Sequence, residues 1–156
     1  MVSITQRCHE CSAIWTEDVT CENHFHQMGF WEMENLSLLG EVHHLMVLSY
    51  HLQHPSLYSP EGLRGAMTLL VDFVERGITP AEVRQRDRAI VDSGKRRFKI
   101  KGTAASHGAY EHPVHWTMTA ADVTAKGVTH YCDNVRAWAR SIYEALKASG
   151  NLAAIG

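Results

Sequence analysis

The cleanest amphipathic stretch of the chain runs from Val128 to about Ser149. There Val128, Tyr131, Cys132, Val135, Trp138, Ala139, Ile142 and Leu146 fall on one face of a helix. Upstream, the apolar periodicity and its punctuation predict further helices. Asn23 is a fair cap for a helix reaching Asn35, and Ser37 for a second reaching Gln53 or His54, where Pro55 disfavours helical geometry in the residue before it. Ser59 with Pro60 starts a third, and Gly77 is placed for a left-handed cap with Ile78 as its hydrophobic contact. Thr79, Pro80 and Glu82 form a capping box for a helix that fades near Ser93 and Gly94. Thr119 and Asp122 open a short helix that Gly127 closes.

Two segments lack this periodicity. Residues 1–22 hold three cysteines and suit a loop or knuckle held by something other than a core, while from Gly94 to Pro113 the helical pattern lapses around "KRRFKIK", a short strand, a hairpin arm or an exposed loop. The expected fold is mainly α. It is a helical bundle of five to six helices over residues 23–149, with a zinc-knuckle-like cysteine segment (1–22) packed on it as one domain, 1–156.

Composition narrows the function classes. Seventeen acidic residues against fifteen lysines and arginines give a net charge of -2, which offers no overall attraction to nucleic acid or an anionic membrane. No stretch reaches the apolar length of a membrane span, and the N-terminus lacks the marks of a signal peptide. A cytoplasmic location is expected. There, cysteines more often bind metal or stay reduced than pair.

Cys8 and Cys11, two residues apart, can grip one tetrahedral ion from a tight turn, and Cys21 completes most of a structural zinc site. The eleven histidines supply candidates for the fourth ligand. His24 would make a self-contained knuckle, whereas a histidine from the second helix would tie the knuckle to the bundle. On that helix a wheel groups His43, Val47, Tyr50 and His54 towards the interior and places His44 and His51 on a neighbouring edge. His43 and His54 lie about 16 Å apart along a straight helix, so one ion cannot take both. Glu32 shares the inner face of the first helix with Phe25, Met28, Gly29 and Leu36, and a buried carboxylate needs a partner. His112 and His115 have a loop spacing that can clasp metal but more often stays unliganded. The run Lys95, Arg96, Arg97, Lys99 and Lys101 suits a solvated loop better than a nucleic-acid site.

These residues carry a resemblance. The Cys8–Cys11 pair, Cys21, Glu32, the stretch "VHHLMVLSYHLQHP", "ADV" and "RAWARSIYEA" resemble an uncharacterised bacterial family of small cytoplasmic proteins, a domain of unknown function. The resemblance covers Cys8, Cys11, Cys21, Glu32, His43, Tyr50, Gln53, His54, Pro55, Asp122, Val123, His130, Trp138 and Ala139. It omits His44, His51, His112 and His115. Ser12 stands where glycine commonly follows the second cysteine, which loosens the expected turn. The resemblance implies no activity, but it raises His130 above what periodicity gives it.

The reading that follows is a small zinc-binding helical protein. Its Zn2+ would be held by Cys8, Cys11, Cys21 and His43, with His24 as the alternative fourth ligand, in a structural role. The first alternative is a metal-dependent hydrolase or transferase, with Glu32 and His54 as acid–base groups and His130 as a further candidate. The second is a regulatory or nucleic-acid interaction module that uses the knuckle and the 95–101 basic run. Nucleic acid is disfavoured, a membrane partner is not expected, and a homodimer is allowed.

Overall fold

The computed structural model of the protein describes residues 6–16, 18–93, 100–153 and 155, the last turn of the fourth helix as backbone alone. The architecture is mainly helical. A two-stranded antiparallel hairpin, β1 (Gln6–Arg7) and β2 (Ile14–Trp15), precedes α1 (Cys21–Glu34), α2 (Leu36–Leu52), α3 (Pro60–Glu75), α4 (Pro80–Ser93), α5 (Ala120–Ala125) and α6 (Tyr131–Ala148). In the hairpin Gln6 pairs with Trp15 and Arg7 with Ile14.

α2 is the central helix. It packs against α1, α3, α4 and α6, most extensively against α6. Val42, Met46 and Leu52 from α2, Leu70 from α3 and Trp138, Ile142 and Leu146 from α6 are almost wholly buried. Each contributes roughly 1.5–3 kcal/mol of hydrophobic stabilisation for a side chain of the aliphatic class. No helix among the described residues is long and apolar enough to cross a membrane.

The first two helices start earlier than their best-looking caps suggest, α1 by three residues and α2 by two. Thr20, not Asn23, caps α1: the Asn23 backbone N–H donates to Thr20 Oγ1 at 3.4 Å, and the Thr20 N–H donates to Asn23 Oδ1 at 2.8 Å. Asn35, not Ser37, caps α2 through the Ser37 N–H at 3.2 Å. The first shift makes Cys21 the opening residue of α1. The second makes Leu36 the first residue of α2, 65% exposed and off the inner face of α1. Val128 likewise stands outside α6 and is 46% exposed, whereas Tyr131, Val135, Trp138, Ala139, Ile142 and Leu146 pack inward as their spacing requires.

The other caps follow the sequence. Ser59 accepts from the Gly62 N–H at 2.9 Å, Gly77 adopts φ +61 with Ile78 buried behind it, and the Glu82 N–H donates to Thr79 Oγ1 at 3.2 Å. The Asp122 carboxylate accepts from the Thr119 N–H at 2.8 Å. Asp72 ties α3 to α4, accepting from Arg76 and Arg86, each at 2.9 Å.

Where the helical pattern lapses, the chain runs close against the turn that follows α2. Lys101 bridges Tyr58, and the Gly102 N–H donates to the Leu57 carbonyl at 3.0 Å. A Cβ at Gly102 would sit 2.4 Å from the Tyr58 carbonyl oxygen, so only glycine permits this approach. Lys95, Arg96, Arg97 and Lys99, most of the basic run, lie outside the described residues. His112 and His115 are exposed, and the His112 backbone is held by Asn151 on both its N–H (3.1 Å) and its carbonyl (3.0 Å).

Gln53, the last residue of the α2 end, is fully buried with both ends of its amide used. Its Nε2 donates to the Met118 carbonyl at 2.7 Å and its Oε1 accepts from the Trp138 indole at 3.1 Å. Gln53→Leu strands both partners in the core. It should lower unfolding free energy by about 2–4 kcal/mol in urea titration with native helix content unchanged; a loss below about 1 kcal/mol would show that neither bond matters.

Candidate metal centre

Three separate pieces of local structure bring four donors to one place. The first is the hairpin loop. The Cys8 N–H donates to the Ala13 carbonyl at 2.8 Å and the Ser12 N–H to the Cys8 carbonyl at 3.0 Å, which closes a tight turn and buries both Cys8 and Cys11. The turn needs a left-handed residue after the second cysteine. Ser12 supplies it at φ +66, a conformation that costs an L-residue roughly 1–2 kcal/mol and glycine almost nothing.

Glu10, inside that loop, fastens it to the bundle. Its Oε1 accepts from the Ser56 backbone N–H at 3.0 Å, and its carbonyl accepts from the Trp116 indole at 3.2 Å. Neither contact has a sequence signature.

The second piece is the start of α1. As the first helical residue, Cys21 sits at the positive end of the helix dipole. Its sulfur lies 3.5 Å from Cys11 Sγ and accepts the Trp15 indole N–H at 3.2 Å.

The third piece is the end of α2. Pro55 bars His54 from helical geometry, and His54 takes φ -130 and ψ 65 one residue beyond the helix cap. Its Nδ1 lies 2.7 Å from the Tyr50 carbonyl. A carbonyl only accepts, so Nδ1 carries a proton and Nε2 is the ring nitrogen left to face other groups. The ring packs on Tyr50 at 4.4 Å between centroids, and Tyr50 stacks on Phe25 at 4.3 Å. His54 Nε2 is buried with no hydrogen-bond partner among the described residues. An orphaned buried polar atom is costly.

The Nε2 atom is surrounded by sulfur. One donor atom from each of Cys8, Cys11, Cys21 and His54 lies within 4.8 Å of all the others, and all four residues are buried. The group could hold a metal ion. Hydrogen bonds from Cys11 and Cys21 hold the Cys8 thiol far below the usual thiol range, whereas contact with Cys21 and Cys8, together with burial, pushes Cys11 far above it. Burial works against a charged His54 ring, but the sulfurs of Cys21 and Cys8 outweigh it and raise its pKa to about 10. Within the cluster Cys8 thus favours the thiolate form and Cys11 resists it. A cation at its centre removes that resistance, because each thiolate then faces positive charge.

The histidine in this group differs from the expected one. His43, the leading sequence candidate, points its Nδ1 at Glu32 Oε1, 2.8 Å away, and has no part in the cluster. His24, the alternative, meets the Thr124 hydroxyl at 2.7 Å and ties α1 to α5. α2 ends at Leu52, and it is His54, just beyond that end in a non-helical conformation, that joins the cysteines. Glu32 is fully buried between His43 and the Tyr131 hydroxyl, which donates to its Oε2. His130 is exposed at the N-cap of α6.

The left-handed Ser12 gives this centre a clean backbone test. Ser12→Gly should raise stability by up to about 1 kcal/mol, and Ser12→Val should lower it by more than about 1 kcal/mol, as read by thermal unfolding. Equal stabilities across the three proteins would contradict the strained turn.

The centre lies within a stretch of chain that matches a known family. The model of a family of unknown function (DUF5946) matches residues 6–147. No curated protein and no solved structure matches the chain. The match runs from β1, just before Cys8, to the last turn of α6, and the chain belongs to this family of unknown function.

Proposed function

We propose that the protein is a small cytoplasmic zinc protein in which Cys8, Cys11, Cys21 and His54 hold one structural Zn2+ that pins the N-terminal hairpin onto the ends of α1 and α2. The observation that carries this reading is the buried, partnerless His54 Nε2 among three cysteine sulfurs. Thiolates with one imidazole are the donor set of tetrahedral zinc. A zinc–sulfur distance near 2.3 Å puts two tetrahedral sulfurs about 3.8 Å apart, close to the 3.5 Å between Cys11 and Cys21.

Four protein donors leave no position for a reactive water, so such an ion stabilises and does not catalyse. The acid–base role considered for Glu32 at the metal finds no support in its position, since its carboxylate serves His43 and Tyr131. What the ion contributes is cohesion. The hairpin pairs over only two residues per strand and buries little beyond its cysteines and Ala13, too little to stay folded by itself.

Metal analysis of the purified protein should find about one zinc per chain. His54→Ala and Cys21→Ala should each weaken zinc binding by more than about 100-fold, beyond the usual effect of losing a ligand's supporting contact. His43→Ala should keep the ion. Absence of stoichiometric metal, or a His54→Ala protein with unchanged affinity, would refute the ligand set.

A further inference from the structure

Some three turns before His54, α2 carries a second polar device that the zinc reading does not use. Glu32 is fully buried, and its two oxygens receive the Tyr131 hydroxyl and the His43 ring. The carboxylate can only accept, so His43 holds a proton on Nδ1 and leaves Nε2 for another partner. That nitrogen has no hydrogen-bond partner among the described residues, and the side chain is 43% exposed. A buried carboxylate that fixes the tautomer and orientation of a half-open imidazole is the arrangement by which a histidine is set up as a directed acceptor.

The exposed side of His43 borders a cavity of about 620 Å³ between α2, α3 and α4, within the size range of small-molecule sites. Its walls are mostly apolar, with Val47 and Leu48 from α2, Leu69 from α3 and Val83 from α4. The other polar groups define what enters. Burial holds His44 below the usual imidazole range, with His43 and Arg84 adding to it and Asp87 opposing, and burial does the same for His51. Both therefore stay neutral near pH 7. Asp87, the one acidic lining residue among the described residues, disfavours an anionic ligand.

We propose that this cavity binds a small, mainly apolar molecule carrying a hydroxyl group, an alcohol or a phenol, whose O–H donates to His43 Nε2 while Glu32 and Tyr131 hold the ring in place. The apolar body of the ligand displaces water from the α2–α3–α4 walls. The hydroxyl pairs with the second ring nitrogen of His43, a residue of the cavity lining. This site is independent of the metal centre and stands whether or not zinc binds.

The test uses the full chain with p-cresol and 4-methylanisole, which differ in the hydrogen-bond donor. Calorimetric titration should show saturable p-cresol binding about tenfold tighter than that of the ether, the worth of one net hydrogen bond. The His43 Nε2 resonance should shift on adding p-cresol. His43→Phe should erase the preference. Gly65→Leu provides a variant that spares the polar cluster: Gly65 lines the cavity and a Cβ there meets nothing within 4 Å, so the larger side chain should fill the space, keep the melting temperature and abolish binding of both probes. Failure of p-cresol to bind saturably, equal affinity for the two probes, a preference that survives His43→Phe, or undiminished binding by a folded Gly65→Leu protein would each overturn the proposal.

Discussion

The residue before a proline is excluded from helical geometry, and in this chain that residue is His54. The exclusion does more than end α2. It swings the imidazole out of the helical register while Nδ1 stays bonded to the carbonyl of Tyr50, one turn back. The ring is thereby fixed in tautomer and direction, with Nε2 aimed at the sulfurs delivered by the hairpin and by the first residue of α1. Around this point the neighbouring contacts fall into place. Phe25 and Tyr50 cover the ring, Gln53 anchors the end of α2 to Trp138 and Met118, and Ser56 holds Glu10 of the cysteine loop.

α2 consequently organises polar chemistry at two levels. Its C-terminal end meets the cysteine cluster, and its middle meets the carboxylate of Glu32. Both are places where a buried polar atom would be costly without a partner, and the two are resolved differently. Glu32 is satisfied by side chains from α2 and α6. His54 Nε2 has no such partner among the described residues. An unpaired buried imidazole nitrogen beside three thiols is a place for a cation, whereas a paired carboxylate fixes the imidazole that it faces.

Much of the fold was legible in the sequence because its signals are local. Proline at Pro60 and Pro80, glycine at Gly77 and Gly127, and the pairings of Thr79 with Glu82 and Thr119 with Asp122 each act within one turn of chain. The periodicity of α6 found Tyr131, Val135, Trp138, Ala139, Ile142 and Leu146 on its buried face, but it also put Val128 and Cys132 there and missed Tyr143 and Ala145. Asn23 and Asn35 were harder, because several residues near each helix start can serve as cap and the choice depends on which side chain reaches which N–H. At the candidate site, Cys8, Cys11 and Cys21 were readable from spacing. The histidine was not, because the wheel put His43 and His54 on the same inner face and could not tell which end of α2 meets the cysteines. Glu10 and Trp15 were beyond reach, since each acts through a contact with a distant or irregular segment that no periodicity records.

The ligand set itself is open to direct observation. Zinc K-edge X-ray absorption on the purified protein should fit three sulfur neighbours near 2.3 Å and one nitrogen near 2.0 Å. In the His54→Ala protein the nitrogen shell should be lost or replaced by oxygen, and in His43→Ala it should be unchanged. A native spectrum without three sulfurs, or a nitrogen shell that disappears with His43 and persists without His54, would contradict the geometry on which this account rests.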